Sequence, residues 1–248
     1  MNKLDGDTSY YFNGGFDRRY CNHITTTLHG KTAIITGGNA GIGKETAIDF
    51  ARRGARIIIG CRNPKKATEA VKEIQRRSGS SNVVYFPLEL SDQDSVREFA
   101  ETVLKQETRI DYLINNAGIT KSAKGQRTKE GYDMVFAVNL FGHFLLTMLL
   151  LDRLKASAPS RIVNVSSIMH AFVKQGDIYF TPKRRRRLMG SDERAGAQTT
   201  IYCALEESIT HLLGRYFDNC RVAKESKLAH DNGLAKKLWD VSCQATGL

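Results

Sequence analysis

The stretch from Thr32 to Lys44, TAIITGGNAGIGK, constrains the fold more than any other part of the sequence. Five mostly apolar residues that favour β-structure end at Thr36 and run directly into a glycine-rich turn, and a helix-favouring run follows as far as Arg53. Glycine adopts positive φ without a Cβ penalty, so Gly37 suits the tight exit from a strand. We therefore predict a strand, a glycine turn and a helix in immediate succession.

The spacing of these glycines suits a pyrophosphate group. Gly41 would let the backbone approach the phosphates, and Gly43 would let the helix pack closely on the strand. The free N–H groups and the positive dipole end of the helix would then face the phosphates. Glycine-rich turns often only punctuate a fold, so the prediction of a dinucleotide site depends on the flanking strand and helix. Its candidate residues are Gly37, Asn39, Gly41, Ile42 and Gly43.

The end of the second predicted strand, residues 55–60, indicates which dinucleotide would bind. A free ribose 2′-hydroxyl usually meets an acidic residue at this point, whereas a 2′-phosphate needs a cation. The segment that follows, CRNP, has no acidic residue and contains Arg62, whose planar guanidinium suits phosphate. This favours NADP(H) over NAD(H), and the alternative is that Arg62 is a solvated loop residue.

Strand and helix patterns alternate along the rest of the chain. Alternation at this spacing predicts a parallel sheet covered on both faces. The fold class is therefore α/β, a Rossmann-type, doubly wound parallel sheet in three layers. Predicted strands cover residues 32–36, 55–60, 82–88, 110–114 and 161–165, with a short one at 215–223, and predicted helices cover 44–53, 64–78, 91–107, 129–156, 197–213 and 234–246.

Composition limits the domain count, the partners and the compartment. The chain has 248 residues, 41% of them hydrophobic, and suits one domain at residues 29–248 behind a polar N-terminal arm at 1–28.

The net charge of +11 suits an anionic partner, although scattered solvated Lys and Arg explain much of it. Five cysteines without metal spacing predict reduced thiols and no metal site. Without a signal or transmembrane segment, we expect a cytoplasmic protein, with peripheral membrane association left open.

Several motifs, in order, resemble the short-chain dehydrogenase/reductase family, and the C-terminal stretch resembles its retinol-dehydrogenase-like members. The resemblance covers residues 28–171 and 196–242. It implies a nicotinamide-dependent oxidoreductase that acts on a lipophilic carbonyl or alcohol, such as retinal or retinol. The matching segments are 36–43 (TGGNAGIG), 115–118 (NNAG), 136–147 (FAVNLFGHFLLT) and 161–167 (RIVNVSS).

The resemblance also implies roles for individual residues. Ser167 would fix the substrate oxygen, and Asn139 would hold a water that relays protons. Asn139 lies among apolar positions of the long helix, which predicts a buried amide. A buried amide needs hydrogen-bond partners, so the residues alone leave it as a structural hub or part of a site. A tyrosine would transfer the proton beside a lysine, since a phenol with a pKa near 10 needs a cation to act as a base at neutral pH. The adenosine side would involve Glu89, where the family usually has Asp, together with Asn116, Ala117 and Gly118.

The catalytic pair is where this sequence departs from the family. Tyr179 is the one tyrosine followed four residues later by a lysine, Lys183, but Pro182 between them disfavours the helix that would place both on one face. A long helix, a sixth strand and a Pro-Gly turn of the relatives have no counterpart. We therefore expect a sheet that is incomplete after strand five, with residues 172–196 an irregular basic loop at a deletion junction. The alternative function is a catalytically impaired isoform that only binds the nucleotide.

The run KRRRR at residues 183–187 could be a nuclear address, a nucleic-acid patch or a solvated loop. Neither interleaved aromatic residues nor a nucleic-acid module accompanies it, so we do not expect a nucleic-acid partner. The expected partner is a small lipophilic carbonyl or alcohol, and a homodimer is left open.

Overall fold

Five parallel strands form the central sheet of the computed structural model, which describes residues 24–123, 125–167 and 193–248. The strand order is β3-β2-β1-β4-β5, and each adjacent pair is parallel. The predicted doubly wound parallel sheet is thereby confirmed. The strands are β1 (Thr32–Thr36), β2 (Arg56–Cys61), β3 (Val83–Pro87), β4 (Tyr112–Asn115) and β5 (Arg161–Asn164).

Helices cover both faces of this sheet, and the alternation of side chains along the strands explains why. On β1, Ile35 belongs to one buried cluster and Ile34 to the other. The first cluster includes α1, α2 and α5, and the second includes α3 and α4, which gives the three predicted layers. The helices are α1 (Gly41–Arg52), α2 (Pro64–Ser78), α3 (Gln93–Gln106), α4 (Met134–Ala156), α5 (Glu193–Leu205) and α6 (Asn232–Thr246).

Three elements differ from the sequence prediction. The helix predicted at 197–213 ends at Leu205, and a short 3₁₀ turn, Glu207–Ile209, follows it. The long helix begins at Met134 rather than near residue 129, because the Asp133 carboxylate caps it by accepting the N–H groups of Val135 and Phe136. The predicted strand at 215–223 is a hairpin of two short antiparallel strands, β6 (Phe217–Asp218) and β7 (Arg221–Val222). Its turn residues have positive φ, which a single strand would not allow.

Within the part of the chain that the structure describes, the sheet ends at β5, as expected for a fold that stops after strand five. Among the described residues, β5 pairs with β4 alone, and the side chain of Ile162 on its surface is 39% exposed. A groove of about 1850 Å³ lies along this strand, between α4 on one side and α5 on the other. This is the position that a sixth strand of a larger parallel sheet would fill.

Helix α4 is the one helix of the described segments that is long and apolar enough to cross a membrane, with a mean hydropathy of 2.1. In this structure it packs on the sheet and buries several leucines in the second core cluster. At the other end of the described chain, Ile24 and Leu28 are buried in the first cluster, so this part of the predicted arm contacts the domain.

The cysteines follow the prediction only in part. Cys61, Cys203 and Cys243 are free thiols, and burial raises the pKa of the Cys61 and Cys203 thiols to about 11. Cys220, in the turn between β6 and β7, is disulfide-bonded. The prediction of five reduced cysteines is therefore wrong at this position.

Candidate functional site

The glycine turn lies where the strand order reverses. β1 has β2 on one side and β4 on the other, so the chain leaves the sheet in opposite directions after β1 and after β4. In open parallel sheets, ligands bind at the carboxyl ends of the strands at such a switch point. Gly37 has a φ of 66°, which confirms the predicted sharp exit, and Gly41 has a φ of 57°.

Two glycines of this turn leave no space for a side chain. A Cβ on Gly43 would overlap the side-chain amide of Asn116 and would lie 2.8 Å from the Gly37 carbonyl oxygen. A Cβ on Gly38 would lie 2.5 Å from Cγ2 of Ile59 on β2. The close approach predicted at Gly43 is present, but it is made to the turn and to the loop after β4 rather than to the strand.

Helix α1 begins at Gly41 with an end suited to an anion. Its N-cap residue, Ala40, makes no side-chain capping bond, and the first turn contains no acidic residue. The first N–H groups of a helix have no intrahelical acceptors, so they are available to a ligand beside the positive dipole end. Space is open at Gly41, where the nearest atom to an added Cβ within the described chain is Glu193 Oε1, at 3.9 Å. Asn39 and Ile42 are half-buried beside it.

Arg62 follows β2 directly and is held loosely. Its side chain is 66% exposed, and Nη1 lies 4.0 Å from Oε2 of Glu89, beyond the end of β3. Glu89 is fixed more firmly, since Oε1 accepts the backbone N–H of Ser91 at 3.2 Å and its hydroxyl at 2.8 Å. An exposed pair at this distance contributes little, so the guanidinium is free to turn towards another anion.

The hydroxyl of Thr36, the last residue of β1, joins the turn to the loop after β4. Oγ1 accepts the N–H groups of Asn116 and Ala117, each at 2.9 Å. Nδ2 of Asn116 donates to the Thr36 carbonyl at 2.9 Å. The candidate adenosine residues Asn116 and Ala117 are thus fixed beside the glycine turn, and Gly118 follows at an exposed position.

Asn139 lies in a π-helical turn, Ala137–Phe141, within α4. Its Oδ1 accepts the N–H of Ile119 at 2.8 Å, and its Nδ2 donates to the Ile119 carbonyl at 2.9 Å. The residue is exposed, so a buried amide, which its apolar sequence neighbours suggested, is wrong. A π turn widens the helix by one residue and shifts its register, and such turns recur at functional sites.

Sequence reasoning missed His143, one helical turn beyond Asn139. The residue is 6% exposed, and Nε2 lies 2.8 Å from Thr36 Oγ1. Its Nδ1 lies 3.3 Å from the Asn139 carbonyl oxygen. Burial lowers the pKa of His143 to about 4, so the ring is neutral near pH 7. A signal was available, since His143 is a titratable residue inside the most apolar stretch of the sequence.

The candidate catalytic residues are only partly placed. Ser167 follows β5, is exposed, and lines the groove together with Ile42 at the start of α1. It therefore lies at the same carboxyl edge of the sheet as the glycine turn. Tyr179 and Lys183 lie outside the described residues, so their pairing stays a prediction, as does the basic run at 183–187.

Comparison with known proteins gives one consistent family. A family profile described as short chain dehydrogenase matches residues 31–183. Human retinol dehydrogenase 11 is 38% identical over 281 residues, which cover 90% of this chain and 88% of the relative. Bovine dehydrogenase/reductase SDR family member 13 is 35% identical over 284 residues, covering 90% of this chain and 74% of that protein.

Solved structures agree with the fold. An uncharacterised protein from Mycobacterium paratuberculosis superposes with a TM-score of 0.67 at 27% identity, covering 89% of this chain and 95% of that one. A metagenomic short-chain oxidoreductase in complex with NADP has a TM-score of 0.51 and 30% identity over 58% of this chain and 65% of its own.

The aligned lengths also show that the relatives contain positions that this chain lacks. For human retinol dehydrogenase 11, 90% of 248 residues is about 223, so about 58 of the 281 aligned positions have no counterpart here. For bovine member 13, the same subtraction from 284 leaves about 61 positions. A loss of about 60 positions is consistent in size with a sheet that, among the described residues, ends at β5.

Proposed function

Because the chain belongs to the short-chain dehydrogenase family of oxidoreductases, we propose that it binds NADP(H) at the carboxyl end of β1. The main support for this proposal is the glycine turn. It lies at the point where the strand order reverses, and the helix that follows it has neither a side-chain cap nor an acidic residue in its first turn, so its N–H groups can bind phosphate. When bound, the nicotinamide would supply or accept a hydride. The substrate would be a lipophilic carbonyl or alcohol such as retinal or retinol, a class taken from the names of the relatives.

The choice of NADP(H) over NAD(H) rests on Arg62. This exposed guanidinium follows β2, where a ribose 2′-substituent would lie, and Glu89 holds it only across 4.0 Å. The structural relative that contains NADP supports the same cofactor class. Glu89, fixed by Ser91, would border the adenine side.

Arg62→Glu is expected to weaken NADPH binding about 100-fold while changing NADH binding less than about threefold, since the substitution places a carboxylate against the 2′-phosphate. Titration calorimetry with both nucleotides measures this. The matched control is Arg76→Glu, the same charge change on an exposed residue near the other end of α2. An equal loss for NADPH and NADH would contradict the role of Arg62.

For catalysis, each candidate residue would act on the substrate oxygen or its proton. The Ser167 hydroxyl would donate to the carbonyl oxygen and orient it. In reduction, the Tyr179 hydroxyl would give its proton to that oxygen, which becomes the hydroxyl of the alcohol, and in oxidation the phenolate would take this proton back. Lys183 would stabilise the phenolate, and Asn139 would hold a water that returns the proton.

A second function, nucleotide binding without turnover, is favoured by one specific observation. The chain lacks about 58 positions present in retinol dehydrogenase 11, and β5 stands at the edge of the sheet beside a groove of about 1850 Å³. A tyrosine and a lysine that are four residues apart act on one substrate only if the segment places them on one face. Without the segment that packs against β5, the adenosine half of the site would remain while the nicotinamide half would not.

Turnover separates the two functions. NADPH oxidation with retinal is expected for the enzyme, and Tyr179→Phe is expected to reduce it by at least about 100-fold, because general acid–base groups commonly contribute that much. Tyr85→Phe is the matched control, since its buried hydroxyl on β3 has no hydrogen-bond partner among the described residues. NADPH binding without any turnover would support the nucleotide-binding isoform instead.

The proposal also includes the compartment and the assembly of the protein. The proposed compartment is the cytoplasm, and peripheral membrane association and a homodimer are to be tested. The groove along β5 is lined by apolar and polar side chains alike, which suits an amphipathic alcohol or carbonyl compound.

A further inference from the structure

His143 is a buried polar residue to which the proposed reaction gives no role, yet its ring joins three parts of the site. Nε2 faces the hydroxyl of Thr36 at 2.8 Å, and Nδ1 faces the carbonyl of Asn139 at 3.3 Å. Thr36 is itself bonded to the loop after β4 through the N–H groups of Asn116 and Ala117. One imidazole therefore connects the end of β1, that loop and the π turn.

The donors and acceptors around the ring assign its tautomer. The Asn139 carbonyl can only accept, so the hydrogen lies on Nδ1. Thr36 Oγ1 accepts from Asn116 and Ala117, which uses both of its lone pairs. Its own hydrogen is therefore donated, and Nε2 at 2.8 Å is a closer acceptor than the Ile114 carbonyl at 3.4 Å. The assignment from this network is the neutral Nδ1–H form.

Burial agrees with this assignment. It lowers the pKa of His143 to about 4, and the hydrogen bond to the Asn139 carbonyl opposes that shift only in part. A second N–H on the ring would face the Thr36 hydroxyl, which has no lone pair left to accept it. The neutral ring is thus the form that satisfies every polar group around it.

We propose that His143 is a positioning residue that holds the glycine turn and the Asn139 turn in a fixed relation. Through Thr36 it holds the end of β1, and through the Asn139 carbonyl it holds the π turn, whose side-chain amide fixes Ile119. A nucleotide on the glycine turn is thereby kept in register with groups at Asn139. This functional consequence rests on the proposed nucleotide site, whereas the hydrogen-bond roles do not.

Two substitutions of His143 each remove one of its two hydrogen bonds and keep the other. His143→Asn keeps a donor at the position of Nδ1 but cannot reach Thr36, and His143→Gln keeps an acceptor near Nε2 but loses the bond to Asn139. Amide hydrogen exchange of the nucleotide-free protein measures the two ends separately. The N–H groups of Asn116 and Ala117 donate to Thr36 and report on the Nε2 end, and the N–H of Ile119 donates to Asn139 and reports on the Nδ1 end.

A crossed pattern is expected. His143→Asn should accelerate exchange at Asn116 and Ala117 about tenfold while leaving Ile119 nearly unchanged, and His143→Gln should do the reverse. With NADPH added, His143→Asn should lose about tenfold in affinity and His143→Gln less than about threefold. A residue that only fills space would accelerate all three amides alike in both variants, and that result would overturn the proposal.

The wild-type protein provides a test that does not depend on how well the variants fold. Nitrogen NMR of the imidazole should show a protonated Nδ1 and an unprotonated Nε2 at neutral pH. A protonated Nε2 would overturn the proposal. Failure of the wild type to bind NADPH would instead contradict the proposed function, since the exchange and tautomer measurements need no nucleotide.

Discussion

Gly43→Ala is expected to weaken NADPH binding by at least about tenfold and to lower the free energy of unfolding by about 1–3 kcal/mol. The added Cβ would overlap the Asn116 side-chain amide and would lie 2.8 Å from the Gly37 carbonyl oxygen. Asn116 cannot move aside freely, because its Nδ2 donates to the Thr36 carbonyl. The backbone of the turn must therefore shift, and it is this backbone that would contact the phosphates. Titration with NADPH and chemical denaturation measure the two effects.

Gly233→Ala is the matched control for this substitution. It introduces the same methyl group at the start of α6, where Asp231 Oδ1 at 3.2 Å is the nearest atom to the new Cβ and the glycine turn is not involved. We expect unchanged NADPH affinity and a change in stability of less than about 1 kcal/mol, since the helix preference of alanine over glycine offsets the small shift that the Asp231 carboxylate must make. Full NADPH affinity in Gly43→Ala would show that the turn does not bind the phosphates as proposed.

Thr36→Val is expected to destabilise the protein by roughly 3 kcal/mol or more, because it removes a hydroxyl from a buried network while keeping the shape of the side chain. The N–H groups of Asn116 and Ala117 and the Nε2 atom of His143 would all lose their partner. Leaving one buried polar group unsatisfied costs about 1–3 kcal/mol, so three such groups make this one of the largest single effects in the domain. Urea denaturation measures the change.

Thr36→Ser provides the contrast, because serine keeps the oxygen and loses only a methyl group. We expect a loss of no more than about 1 kcal/mol, the value of one buried methylene. Equal destabilisation by valine and serine would mean that packing, rather than the hydrogen-bond network, accounts for the role of Thr36.

The architecture could be predicted because its signals are local. A five-residue apolar strand ends at Thr36, Pro64 opens a helix and Gly79 closes it with a φ of 78°, and each of these was visible as a residue type at a particular position. Parallel pairing followed from the alternation of strand and helix. The first residue of α4 was harder to predict. The sequence before Asp133 could also extend the helix, and only the structure shows that the Asp133 carboxylate caps it.

The parts of the candidate site that consist of neighbouring residues in the sequence could be predicted. The glycine turn, Arg62 and the motif at residues 115–118 are contiguous or directly follow strands, so their places at the carboxyl edge could be derived. The network of Thr36, His143 and Asn139 could not, because it joins residues 107 positions apart and depends on a π turn that no periodicity announces. The exposure of Asn139 has the same origin, since the π turn shifts the helical register.

The tyrosine and lysine are a different case. A match in spacing alone cannot show whether Tyr179 and Lys183 share a face, and Pro182 between them acts against the helix that would place them there. A turnover assay must therefore decide whether Tyr179 and Lys183 act in catalysis, and the proposed nucleotide site does not depend on the result.

Titration of the purified protein with NADPH is the decisive test of the nucleotide site proposed at the carboxyl end of β1. We expect saturable binding to one site per chain, tighter for NADPH than for NADH. No binding of either nucleotide at millimolar concentration, by a protein shown to be folded, would contradict it.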